Sequence, residues 1–200
     1  RAQVVEQYMQ ANTDLYYNYV FDEMLPAKSS HQLYYRLDTH WNSYGALEAA
    51  DVLHVMFGLP PIDRSQLIEY IFTFENPDLV AMSGTAGDYG TDVSYDLNYN
   101  VYVTGTQVFN ASEDGTYYEY ITPDAPYEGT LVVLGDSFRI GLLGFLPRDY
   151  THTVFIDELA NWTDYWGTIM SADKIVIEEA ERNEYFFVSI VESIISYIYS

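Results

Sequence analysis

The run Leu131-Val132-Val133-Leu134, followed at once by Gly135-Asp136-Ser137, constrains this chain more than any other feature. Four apolar residues without alternation read as a strand covered on both faces, and Gly-Asp-Ser reads as the turn that leaves it. Two more runs of the same kind follow, Thr153 to Ile156 and Lys174 to Ile177. Phe138 to Leu146 reads as a helix, and Phe187, Ile190, Val191, Ile194 and Ile198 recur at helical spacing. Strands alternating with helices predict an α/β fold: a parallel sheet with helices on both faces, in three α/β/α layers. In such sheets a site forms at the carboxyl ends of the strands. Asp38, Ser137, Asp157 and Glu178 all follow apolar runs and are expected at such ends.

The first half is less regular. Asn42 or Ser43 can cap a helix carrying Ala46, Ala49, Ala50, Leu53 and Phe57, with Gly58 as its left-handed end and Pro60-Pro61 forbidding continuation. Gln3 to Met9 reads as helix, Leu15 to Val20 as a short aromatic strand, and Leu67 to Phe74 as an apolar segment of either type. From Val93 to Val103 the period becomes two: Val93, Tyr95, Leu97, Tyr99, Val101 and Val103 share one face, and Ser94, Asp96 and Asn98 the other. This predicts a half-buried strand, or a hairpin bent within it. Strands at Gln107 to Phe109 and Thr116 to Ile121, joined by a turn at Asp114-Gly115, complete a β-rich insertion at about 84–122 in a single domain spanning 1–200.

Composition narrows the partners. Eight basic residues against thirty acidic ones give a formal charge of −22, which repels phosphate backbones and anionic lipid. Nucleic acid is therefore not an expected partner. Without cysteine there are no disulfides, thiolate metal sites or cysteine nucleophiles. No apolar run approaches the roughly 18 residues of a membrane span, so direct membrane insertion is not expected. The chain opens at Arg1, which reads as a mature form or an excised piece.

Chemistry can be built from two short blocks. Ser137 between a strand and a helix would hold its hydroxyl at the sheet edge, beside backbone amides that can stabilise an oxyanion. A serine nucleophile needs a base, and the base an orienting acid; Asp38-Thr39-His40-Trp41 offers both. A turn serine and a packed histidine are the plainer readings of each block alone. The other histidines, His31, His54 and His152, lack an adjacent carboxylate pattern. A different chemistry would use Asp136, Asp157, Glu178 and Glu179 to hold a divalent ion for hydrolysis. Among thirty acids, several fall at strand ends by chance.

Residues 131–146, LVVLGDSFRIGLLGFL, resemble the Gly-Asp-Ser block of the SGNH hydrolases, and residues 34–50, YYRLDTHWNSYGALEAA, resemble the Asp-x-His-Trp block of one branch. That branch holds the alginate O-acetyltransferase-like proteins and the DHHW family, in which the Asp-x-His pair precedes the serine, as it does here. Residues 153–157 and 175–182 are similar to the family's following strand and terminal Glu-Arg segment. The resemblance implies a flavodoxin-like SGNH fold, with Ser137 as nucleophile, His40 as base and Asp38 as its orienting partner. The Ser137 amide is the oxyanion donor it nominates, with Asn161 and Arg139 as further candidates; the family's other oxyanion blocks find no match. Trp41, Trp162 and Trp166 could stack on sugar rings, although aromatic core is the plainer reading of each.

The implied activity is O-acetyl transfer or acetyl-ester hydrolysis on an exported or cell-envelope polysaccharide, without a cofactor. The implied partners are a polysaccharide acceptor, an acetyl donor and a membrane-bound O-acyltransferase, and the implied location is extracytoplasmic. By the same resemblance, residues 1–33 are too few for the family's first strand, so the N-terminus reads as truncated. A non-catalytic carbohydrate-binding or assembly module on the same fold is the alternative.

Overall fold

The computed structural model describes residues 2–75, 77–85, 91–99 and 107–198, and the chain divides into two compact units, 1–101 and 102–200. Residues 100–103, expected to continue a strand, lie outside the described residues.

The second unit carries the sheet that the apolar runs predict. Its strands are β3 (Gln107–Ala111), β4 (Tyr117–Ile121), β5 (Tyr127–Gly135), β6 (Tyr150–Asp157) and β7 (Lys174–Glu178), once the first unit's pair is counted as β1 (Leu67–Glu75) and β2 (Thr91–Tyr99). The spatial order is β3-β4-β6-β5-β7. β5 runs parallel to both β6 and β7, whereas β3 and β4 join antiparallel at the β6 edge. The predicted α/β fold with a parallel core is therefore present. Leu131, Val132, Val133, Leu134, Val154, Phe155 and Ile156 are fully buried, so β5 and β6 are covered on both faces, as their unbroken hydrophobicity requires.

Seven helices accompany the strands among the described residues: α1 (Ala2–Asn12), α2 (Phe21–Ala27), α3 (Ser43–Phe57), α4 (Asp78–Ser83), α5 (Arg139–Leu142), α6 (Trp166–Met170) and α7 (Glu184–Ile198). Ile169 of α6 and Ile190 of α7 close one face of the second unit's sheet over Val132, Leu134, Val154 and Ile156. The helix expected from Phe138 to Leu146 is only the single turn α5, followed by a 3-10 turn at Leu146–Arg148. Gly141, Gly144 and Pro147 explain the shortening, since glycine and proline are the poorest helix formers.

In the first unit α3 begins and ends as its sequence dictates. Asn42 Oδ1 accepts from the amides of Tyr44 and Gly45, and Gly58 closes the helix at φ 72°. Leu15 to Val20 is not a strand. No strand pairs with it among the described residues; the Tyr19 amide is held by Glu6 of α1, and Tyr19 stacks on Phe21. The Leu67 segment is β1, antiparallel to β2. The β-rich stretch at 84–122 is shared out, β2 to the first unit and β3 and β4 to the second.

β2 is inverted relative to its apparent polarity. Asp92, Ser94 and Asp96 are buried, whereas Val93 and Tyr95 are 55% and 61% exposed. No described helix is long and apolar enough to cross a membrane.

Gly135 is fixed by close approach. A Cβ there would lie 2.3 Å from the Glu178 carbonyl oxygen on β7. Gly135→Ala is expected to destabilise the protein by roughly 1–3 kcal/mol, the cost typical of overpacking, read as a lower urea midpoint at unchanged slope.

Candidate active site

Asp38, Thr39 and His40 do not end a strand of the sheet, as the sequence suggested. They form the tip of a tight loop whose stem is a single antiparallel bridge between Tyr34 and Trp41. The Tyr35 amide donates to the His40 carbonyl at 3.1 Å, and the Asn42 amide to that of Leu33 at 2.9 Å. A loop this short cannot satisfy all of its own backbone amides, and carboxylates from elsewhere in the unit accept from others. Asp92 Oδ2 accepts from the amides of Arg36 and Leu37, both at 2.8 Å. Asp96 Oδ1 accepts from the Ser43 amide at 2.7 Å, and Oδ2 from the Tyr35 hydroxyl at 2.8 Å. Asp78, at the start of α4, accepts from the Thr39 amide at 2.7 Å and from the Thr39 hydroxyl. The buried polar face of β2 is thus the seat of the loop.

On this frame Asp38 and His40 meet. Asp38 Oδ1 lies 2.5 Å from His40 Nδ1 and also accepts the His40 amide at 3.0 Å, while Oδ2 accepts the Asp78 amide at 2.9 Å. Burial works against the Asp38 charge, but the amides of Asp78 and His40 and the imidazole outweigh it, and the carboxyl is held below its ordinary range. An acceptor at Nδ1 fixes the ring and its tautomer, as an orienting acid does for a general base. Asp38, His40 and Asp78 each offer an atom within 4.8 Å of the others, close enough to share a divalent ion. They are the one such group among the described residues.

The second unit holds the serine. Ser137 is exposed at the carboxyl end of β5, directly after the buried Gly135 and Asp136. Asp136 ties the turn together: Oδ1 accepts from the Phe138 amide at 2.8 Å, and Oδ2 from the Ala180 amide at 3.1 Å and Asn183 Nδ2 at 2.8 Å. Arg139 is 1% exposed. Its guanidinium reaches the Asp136 and Gly115 carbonyls, each at 2.9 Å, and pairs with Asp157. That buries it as a brace for the turn rather than presenting it to an oxyanion. Asn161 turns its side chain onto Asp164 and Thr163.

Of the three tryptophans, Trp41 is 7% exposed and belongs to the core, which leaves it no open ring face for a sugar. Trp162 and Trp166 are half-buried and line a cleft of about 300 Å³ with Glu158, Asn161, Ser189 and Ser193. The Trp162 indole donates to the Asp157 carbonyl at 2.9 Å, and the Glu158 amide to that of Gly135 at 2.8 Å. The cleft therefore adjoins the strand end that carries the Gly-Asp-Ser turn.

The acids nominated for a metal are not gathered as a ligand set among the described residues. Asp136 and Asp157 hold the turn. Glu178 and Glu179, and also Glu158, which was not nominated, each bury at least one carboxylate oxygen with no hydrogen-bond partner among the described residues. Burial, then the neighbouring Asp136, raises the carboxyl of Glu178 well above its usual range and that of Glu179 to about 8. Asp78, Asp92 and Asp96 carry the loop and were not marked by any spacing rule.

The fold so defined is an α/β fold that solved structures share, a DHHW family protein among them. A DHHW family protein from Eubacterium siraeum matches with a TM-score of 0.61 at 14% identity, over 80% of this chain and 63% of its own. PatB1 of Bacillus cereus matches with a TM-score of 0.63 at 14% identity, over 91% of this chain and 75% of its own. A structure of the same protein with a sulfonyl adduct matches at 0.58 and 13% identity, over 91% and 74%. The chain thus spans less than two thirds of the Eubacterium siraeum protein. No family model and no curated protein matches the chain.

The raised carboxyls set a pH response. An acid whose folded pKa is raised favours folding below its unfolded value and loses that contribution as pH rises through the folded value. Wild-type stability should therefore fall between about pH 4.5 and 8. Glu179→Gln should flatten that fall, raising Tm at pH 8 by roughly 2–4 °C for each kcal/mol relieved and leaving it unchanged at pH 4.5. Thermal melts across the range read both.

Proposed function

We propose that this chain is a serine-dependent acyl-transfer domain, an O-acetyltransferase or acetylesterase acting on a polysaccharide. Ser137 is the nucleophile, His40 its base and Asp38 the orienting acid. The observation that carries the reading is the 2.5 Å contact between Asp38 and His40 Nδ1, in a loop held by three further carboxylates. A histidine so oriented at one nitrogen is prepared to accept a proton at the other. The sulfonyl adduct of the similar PatB1 adds support, because sulfonyl groups attach to activated nucleophiles.

His40 takes the Ser137 hydroxyl proton as Oγ attacks the carbonyl of an acetyl ester. The tetrahedral oxyanion is stabilised by backbone amides, that of Ser137 first among them. His40 returns the proton to the leaving alkoxide, and acetyl-Ser137 remains. A sugar hydroxyl then gives up its proton to His40 and attacks the acetyl carbon, the bond to Ser137 Oγ breaks and Oγ takes that proton back from His40, which is transfer; water in place of the sugar gives hydrolysis. Trp162 and Trp166, beside the end of β6, offer a surface for the acceptor ring. An extracytoplasmic location and a membrane-bound O-acyltransferase that supplies the acetyl group complete the proposal, on the strength of the sequence resemblance.

The test is 4-nitrophenol release from its acetate by wild type, Ser137→Ala and His40→Ala. Each variant should lose at least about 10³-fold in kcat/KM, as triad removals do, and a sulfonyl fluoride should add one sulfonyl group to wild type and none to Ser137→Ala by intact mass. Variants that turn over like wild type would overturn the triad. Folded wild type without turnover, yet binding oligosaccharide at the tryptophan cleft, would make the domain a binding module.

A further inference from the structure

We infer that Asp78 is a second orienting carboxylate for His40, able to hold the imidazole when Asp38 is neutralised. The inference rests on the triad reading above and deepens it. Asp78 is bound to the loop through three groups at once. Its Oδ1 accepts the Thr39 amide at 2.7 Å, its Oδ2 accepts the Thr39 hydroxyl, and its own amide donates to Asp38 Oδ2 at 2.9 Å. The next residue repeats the attachment, Leu79 N–H donating to the Leu37 carbonyl at 3.2 Å. The start of α4 is therefore fastened to the loop tip on both sides of Asp38.

The same Oδ2 that takes the Thr39 hydroxyl lies 3.8 Å from His40 Nδ1. Asp38 Oδ1 is nearer, at 2.5 Å, and holds the hydrogen bond. A carboxylate at 3.8 Å does not share that bond, but it does face the charge that forms when His40 accepts a proton. Two carboxylates then face the same Nδ1 edge of one imidazolium, in a half-buried setting where screening by water is reduced. A carboxylate oxygen has lone pairs for more than one donor, so the Thr39 bond leaves Oδ2 able to accept a second. Thr39 fixes the carboxylate plane, and a small turn of the imidazole brings Nδ1–H within reach. With one orienting acid, its conversion to the amide costs about 10⁴-fold in kcat. With two, either single loss is partly covered by the survivor.

The experiment is a double-mutant cycle on the whole chain: wild type, Asp38→Asn, Asp78→Asn and the double variant. Two readouts are taken, kcat and KM on 4-nitrophenyl acetate, and the far-downfield proton resonance of His40 Nδ1–H. We expect kcat to fall only about 10–10²-fold in Asp38→Asn and a few-fold in Asp78→Asn, but about 10⁴-fold in the double variant, with KM little changed throughout. The resonance should persist in Asp38→Asn and vanish in the double variant. Asp38→Asn/Asp78→Glu, which keeps the second charge, should recover part of the loss. A purely structural Asp78 would give additive losses, no rescue and a resonance that is the same in Asp38→Asn and in the double variant, and any of these would overturn the inference. The resonance does not depend on turnover, so it still decides the role of Asp78 if Ser137→Ala shows the triad reading to be wrong. Should the double variant not fold, the resonance in Asp38→Ala, which has no side-chain acceptor at 38, decides it: its persistence supports Asp78 as the holder and its loss overturns the inference.

Discussion

Carboxylates gripping backbone amides hold the loop of Asp38 and His40 in place within the first unit. The tip from Tyr35 to His40 is too short to form a ladder of its own, and Asp78, Asp92 and Asp96 supply acceptors to five of its groups and to the Ser43 amide that opens α3. An amide given to an ionised carboxylate makes a stronger bond than one given to a carbonyl, and a buried carboxylate needs donors as much as the amides need acceptors. Loop and strand therefore satisfy each other, and His40 is aimed by that exchange rather than by apolar packing. Part of the chain's acidic excess thus serves the interior, not the solvated surface.

The second unit solves the corresponding problem with one cation. Asp136 draws the Gly-Asp-Ser turn onto the segment after β7, and Arg139, nearly inaccessible, ties that turn to the end of β6 and to the Gly115 carbonyl. Around this centre Glu158, Glu178 and Glu179 bury oxygens that find no donor among the described residues. Neutral carboxyls relieve that burden, and ionised ones impose it. A serine at the rim of such a centre sits on a backbone fixed from below by Asp136 and Arg139.

How much of this was legible in the sequence depended on whether the cause was local. The β5 and β6 strands were readable because runs such as Leu131 to Leu134 are apolar without alternation, and only a doubly covered strand needs that; β7 was rightly read as a strand but wrongly as a buried one, since it lies at the sheet edge with Ile175 40% exposed. Asn42 and Gly58 were readable as ends of α3 because capping is settled within a few residues. The pairing of Asp38 with His40 was readable for the same reason. Leu15 to Val20 misled because strand propensity does nothing without a partner strand. Phe138 to Leu146 misled because apolar character outweighed Gly141 and Gly144 in the reading. Asp78, Asp92 and Asp96 could not be found, since their targets lie far along the chain and an acid holding an amide looks, in sequence, like an acid facing water. Arg139 was misjudged by proximity: two residues after Ser137, its side chain runs beneath the turn instead of toward the hydroxyl.

The inversion of β2 changes what tolerance to substitution would look like. Along most strands the greasy positions resist change and the polar ones drift. Here Val93 and Tyr95 face outward, while Asp92, Ser94 and Asp96 are enclosed and engaged with the loop. Random variation along this strand would be filtered in the opposite sense. Serine or lysine would pass at 93 and 95, and even a shape-matched leucine or asparagine would be rejected at 92 and 96. A ranking of positions by hydrophobicity would read this strand inside out, taking its anchoring residues for decoration.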